Sequence, residues 1–218
     1  MNWDWSFALQ ILPRLLGALV ITVQATLLGT ALAMVVGLVL ALLRRSAVAL
    51  VSKAAATFVE FVRSTPLLVQ LYFAFFVLPN YGLVFAPLQT GIVVIGLHYA
   101  TYTSEVYRAG IEGVPRGQWE AATALNLPRL RVWTGVILPQ AIPAVVPALG
   151  NYLIAMFKDT PLLSAITVVE LLQQAKIIGD TTFRYLEPIT LVGLLFLLVS
   201  YPSAVFMRRL ETQFGHPH

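Results

Sequence analysis

The chain has 218 residues, 58% of them hydrophobic and only 11% charged, with a net charge of +4 and a mean hydropathy of +0.81. A soluble domain carries roughly 25% charged residues, so this sequence cannot cover a water-facing surface and reads as an integral membrane protein. Disorder is excluded on the same grounds, and the absence of cysteine excludes a disulfide framework, a cysteine-ligated metal site and thiol catalysis.

Residues free of Asp, Glu, Lys and Arg run over 15–43, 64–104, 132–157 and 188–207. One crossing needs about 20 apolar residues, so the first, third and fourth stretches, of 29, 26 and 20 residues, each fit one. The second, of 41 residues, is interrupted by Pro79-Asn80-Tyr81-Gly82, a turn signal. It predicts two helices joined by a tight hairpin. The expected fold is an all-α membrane protein with five transmembrane helices, since no repeated ten-residue alternation suggests a membrane barrel.

In chain order, Met1-Asn2-Trp3-Asp4-Trp5 lacks the basic start of a cleavable signal, and Trp3 and Trp5 read as interfacial anchors. The first helix carries Ala25, Gly29, Ala33, Gly37 and Ala41, a ridge of small residues at every fourth position. It lets another helix approach closely, either within the chain or from a second subunit. The polar stretch 105–131 contains a short helix over Gly117–Asn126, with Asn126 suited to a left-handed ending. So short a helix needs something to hold it, and the membrane domain or a partner groove would serve. Pro139, Pro143 and Pro147 share one helix face and predict a break or kink. Lys158, Asp159 and Thr160 then interrupt the apolar pattern. At membrane depth they would mark a substrate path; spacing alone favours an ordinary outer-face loop.

Five crossings divide the basic residues. Arg44, Arg45, Lys53, Arg63, Arg108, Arg116, Arg129, Arg131, Arg208 and Arg209 fall on one side, and Arg14, Lys158, Lys176 and Arg184 on the other. Ten against four makes the first side cytoplasmic, with the N-terminus outside and the C-terminus inside. Topology therefore accounts for the positive charge, and no nucleic-acid partner is needed. Phosphate-loop, zinc-helix and nucleophile-elbow motifs are all missing from the sequence. His98, alone in an apolar run, is expected to hydrogen-bond a neighbour rather than ligate metal, and His216 and His218 to lie in a frayed tail.

Glu120-Ala121-Ala122, with Leu138-Pro139 downstream, resembles the cytoplasmic EAA loop of permease subunits from binding-protein-dependent ABC importers. The tract from Glu60 to Leu71 resembles the start of the second core helix in the polar amino-acid branch, of the histidine, glutamine and arginine type. The tracts Tyr102–Ile111 and Asn151–Leu162 resemble two further hallmarks of that branch. Two positions depart from the pattern. Asn126 stands where the EAA loop has Gly, and Pro161 where the branch has Ser, which leaves ectoine-like derivatives open beside ordinary amino acids.

The resemblance implies a type I ABC importer transmembrane domain over 19–209, an extracytoplasmic segment over 1–18 and a cytoplasmic tail over 210–218. It implies a second permease subunit, a cytoplasmic ABC ATPase dimer and an extracytoplasmic substrate-binding protein in a bacterial inner membrane. This chain would hold no cofactor and no metal. Gly117, Glu120, Ala121 and Ala122 match the ATPase-coupling motif, and Lys158, Asp159 and Thr160 match the polar cluster expected to bind substrate or to gate its passage. An ion-coupled secondary transporter, for which the sequence offers no internal repeat, and a non-transporting scaffold are the rival expectations.

Overall fold

The computed structural model describes residues 3–214, which form helices and turns with no strand among them. Helix α1 spans Trp5–Arg44 and starts ten residues ahead of the charge-free stretch. Asp4 caps it, its Oδ1 accepting from the Ser6 amide at 2.9 Å and the Phe7 amide at 3.2 Å. Pro13 sits inside the helix on an exposed position, so the hydrogen bond it removes is lost at the surface rather than in the core. The helix runs through residue 18 without interruption.

The hairpin expected at Pro79–Gly82 is present, but its first arm is not one regular helix. Helix α2, Ala49–Arg63, ends at Ser64, and α3, Leu67–Tyr72, continues through a π-turn, Phe73–Val77, and a 3-10 turn, Leu78–Tyr81. The two segments meet at 101°. Pro66 disfavours helical geometry at the residue before it. The Gln70 amide occupies the carbonyls this break frees, donating to Val62 at 2.8 Å and Thr65 at 3.1 Å. Gly82, at φ 83°, turns the chain into α4, Pro87–Glu112.

After the short helix α5, Arg116–Ala124, come α6, Arg129–Val132, a π-turn over Trp133–Ile137 and α7, Leu138–Asp159. The helix passes through Pro143 and Pro147 unbroken, so of the expected break or kink the break is absent. Prolines at i, i+4 and i+8 forfeit hydrogen bonds along a single stripe, leaving the bonds on the other faces intact. A 3-10 turn, Thr160–Ile166, leads to α8, Leu171–Thr182, and then α9, Leu186–Phe214. The buried Glu170 carboxylate caps α8, accepting from Gln173 at 2.7 Å and Leu172 at 2.9 Å.

The small-residue ridge of α1 packs within the chain. Ala25, Gly29, Ala33, Gly37 and Ala41 are all buried. A Cβ at Gly37 would strike the Thr103 hydroxyl and lie 2.8 Å from the Ala100 carbonyl, and Thr103 donates to the Ala33 carbonyl at 2.8 Å. This is the close approach that small residues permit in lipid. The main core joins α1, α3, α4, α7 and the Thr160–Ile166 turn through Ala25, Leu71, Ile95, Met156 and Leu163.

Trp5–Arg44, Arg129–Ile166 and Leu186–Gln213 are long and apolar enough to cross a membrane, and the bent pair Ala49–Arg63 with Leu67–Tyr81 supplies up to a fourth span. Helix α4 has the length for a fifth, but Thr90, His98, Thr101, Thr103 and Ser104 dilute its apolarity. All five are buried against the protein. Charged residues gather at the two ends of the bundle. Arg184 pairs with Asp4 at 3.2 Å and with the buried Glu187 at one end, while Arg44, Arg63 and Arg108 surround Glu105 at the other. The Ser6 hydroxyl, the Phe7 amide and Arg184 together hold the Asp4 carboxyl at about 2.

Candidate functional site

Tyr99 lies near the middle of α4, about 18 Å from its first residue and about 20 Å from its last at ~1.5 Å per residue. Its hydroxyl donates to the Asp159 carboxylate at 2.6 Å. Asp159 therefore meets α4 at mid-length. It does so because α7 stops partway along α4 and a compact 3-10 turn follows it. Leu163 and Ile166 of that turn are buried in the main core.

The three adjacent candidates diverge. Asp159 is half-buried on Tyr99, and Lys158 is exposed at the end of α7. Thr160 is fully buried and its hydroxyl donates to the Phe157 carbonyl at 2.7 Å, so it closes the helix. The side chain that holds Asp159, Tyr99, belongs to an aromatic cluster. Tyr99, Tyr102 and Tyr152 lie with ring centroids 5.7–6.1 Å apart, and His98 stands 5.3 Å from Tyr102. The His98 Nδ1 is 3.2 Å from the Gln70 amide oxygen, a neighbour's hydrogen bond as expected. A carboxylate held by one member of a tyrosine cluster suits a positively charged group, through charge-assisted hydrogen bonding and the negative faces of the rings. The tyrosines escaped the sequence reading. Tyr99 and Tyr102 are three residues apart on α4, but Tyr152 comes from α7, and nothing local announces that the two helices face each other there.

At the Glu112 end of α4, helix α5 presents the other four candidates. Its ending follows the pattern expected of Asn126. That residue takes φ 50°, its amide donates to Thr123 at 2.9 Å, and the Leu127 amide donates to Ala122 at 3.1 Å, which is the paired ending of a Schellman motif. The helix is held on one side by Ala122, 3% exposed, and by Trp119, whose ring meets Trp133 edge-on at 5.6 Å. Trp133 in turn lies under the Arg45 guanidinium at 5.9 Å. Gly117, Glu120 and Ala121 are exposed on the remaining surface. A Cβ at Gly117 would meet nothing within 4 Å, so the chain's own packing does not demand glycine there. Leu125, at the helix end, is 72% exposed.

Comparison with known proteins is consistent along the chain. The family model described as "Binding-protein-dependent transport system inner membrane component" matches residues 33–215. A probable amino-acid ABC transporter permease protein of Sinorhizobium fredii is 49% identical, covering 95% of this chain and 90% of its own. The arginine transport system permease protein of Bacillus subtilis is 30% identical over 97% of this chain and 99% of its own. A crystal structure of an amino acid ABC transporter with histidines is 30% identical, with a TM-score of 0.92, covering 98% of this chain and 100% of that one. The helical bundle, the short exposed helix after α4 and the matched family model agree, and the chain belongs to the family of binding-protein-dependent transport system inner membrane components, the permease subunits of ABC importers.

Proposed function

We propose that this chain lines the translocation path of an ATP-driven importer for a polar amino acid or amino-acid derivative. Its partners are a second permease subunit, identical or homologous, a cytoplasmic ABC ATPase dimer and an extracytoplasmic substrate-binding protein. Five crossings are assigned to α1, to α3 with the turns that extend it, to α4, α7 and α9. The N-terminus lies outside and the C-terminus in the cytoplasm. Residues 19–209 form the transmembrane domain, with 1–18 and 210–218 as its outer and inner ends. Asp159, with Lys158 and Thr160 beside it, belongs to the substrate path.

The observation that carries this reading is the surface of α5. A helix of nine residues is too short to be stable alone. This one is fixed from beneath by Ala122 and Trp119, yet leaves Gly117, Glu120, Ala121 and Leu125 uncovered. Such a rigid, small-residue face with one carboxylate fits a groove on another protein. ATP hydrolysis belongs to a separate subunit in this family, so the face is read as the ATPase-coupling surface.

The test is reconstitution of the permease with its ATPase and binding protein in vesicles. Uptake should require ATP and be indifferent to ion gradients. Glu120→Arg should lose most uptake while the permease still inserts, because reversing a charge at a close contact can cost several kcal/mol. Wild-type uptake and hydrolysis in that variant would remove Glu120 from the coupling surface.

A further inference from the structure

Glu105, one turn beyond Tyr102 on α4, joins three elements. Arg44 at the end of α1 donates a hydrogen bond to it, Arg108 lies 2.8 Å away on α4 itself, and Arg63 at the end of α2 approaches to 3.6 Å. The first two are hydrogen bonds and the third is a looser ion pair. The Arg63 guanidinium also lies over the Tyr102 ring, 5.2 Å from its centroid, and 3.9 Å from Glu60. It thus bridges the charged end of the bundle and the tyrosine cluster around Asp159. Arg63 is the last residue of α2, directly before the 101° break.

We propose that Arg63 is a positioning residue that latches the α5 end of the tyrosine cluster: seated on Tyr102 and against Glu105 it closes the passage beside that ring, and its release opens it. The proposal rests on the reading of the chain as an importer's permease. Release strands no charge. Glu105 keeps Arg44 and Arg108, and Arg63, 36% exposed at its side chain, keeps Glu60 and water. A buried ion pair whose breaking left one partner alone would be a poor switch, because the orphaned charge resists the change. Across the break the Gln70 amide donates to the Val62 carbonyl and the Thr65 hydroxyl, so the end of α2 that carries Arg63 moves together with α3. A route from α5 exists as well. Trp119 touches Trp133, which lies under Arg45, the neighbour of the Arg44 that grips Glu105.

The whole importer, with ATPase and binding protein, is reconstituted in vesicles loaded with a radiolabelled mixture of the protein amino acids, and escape of label is followed without ATP. Arg63→Gln should raise the leak about fivefold, the factor that a contact of this kind supplies, and lower the label imported per ATP hydrolysed. Arg63→Lys, which keeps a cation over the ring, should restore both. Tyr102→Leu tests the other half of the contact if Arg63→Gln does not assemble. The double variant should leak no more than the leakier single one, because the two remove the same interaction. A leak unchanged in Arg63→Gln and Tyr102→Leu overturns the latch, as does a leak in Arg63→Lys equal to that of Arg63→Gln, or additivity in the double variant. Wild-type vesicles without ATP-driven uptake would overturn the importer reading instead.

Discussion

A carboxylate at mid-depth in a helical bundle is costly unless it is paired or faces water. Among the described residues Asp159 has one side-chain hydrogen bond, from Tyr99 at 2.6 Å, which leaves most of the acceptor capacity of its two oxygens unused. That spare capacity, beside the tyrosine cluster to which Tyr99 belongs, is what distinguishes Asp159 from the exposed Lys158 and the self-satisfied Thr160. Asp159→Asn keeps the shape and one acceptor oxygen while removing the charge. The difference between a charge-assisted and a neutral hydrogen bond is about 1–2 kcal/mol, so transport by the reconstituted importer should fall roughly five- to thirtyfold, with complex assembly intact. Unchanged transport of every accepted solute would reduce Asp159 to a structural partner of Tyr99. At this scale the sequence exposes residues whose type is constrained by their own backbone. Asn126 was recognisable because few residues accept a left-handed conformation. The pairing of Tyr99 with Asp159, sixty positions apart, was not, because it depends on where two helices cross.

Elements were legible where the signal was local and obscure where the neighbours decided. Pro79–Gly82 announced its turn and Gly117–Asn126 its short helix. The break before α3 was signalled by Pro66 and falls where the second charge-free stretch begins. The proline stripe does not interrupt α7, because hydrogen bonds lost at Pro143 and Pro147 on one face do not break a helix supported on its others. The ending of α5 makes a test at this scale. Asn126→Gly should leave α5 in place, since glycine takes positive φ freely. Asn126→Val should loosen the helix end by about 1–2 kcal/mol, the cost of a left-handed residue with a crowded Cβ. Hydrogen exchange of the Asn126 and Leu127 amides, which donate to Thr123 and Ala122, reads the difference. Equal protection in the two variants would mean that Trp119 and Ala122 fix α5 without help from its cap.

For the whole molecule the open structural question is which end of the bundle faces the cytoplasm, and charge supplies the argument. The structure gathers Asp4, Arg184 and Glu187 at one end and Arg44, Arg63, Glu105 and Arg108 at the other. The second end also continues into α5 and α6, with Arg116, Arg129 and Arg131. Basic residues near the ends of spans are retained in the cytoplasm, so the α5 end should lie inside and the Asp4 end outside. The chain has no native cysteine, which makes single-cysteine labelling clean. Glu187 is a poor reporter because it is buried in its ion pair. Asn80, exposed in the hairpin turn between α3 and α4, is a good one, and Lys53 and Arg116 report on the opposite end. In intact cells a membrane-impermeant maleimide should label Asn80→Cys, and should reach Lys53→Cys and Arg116→Cys only after the membrane is opened. The reverse pattern would invert the bundle, place α5 away from any cytoplasmic ATPase, and remove the basis for reading its exposed face as the coupling surface.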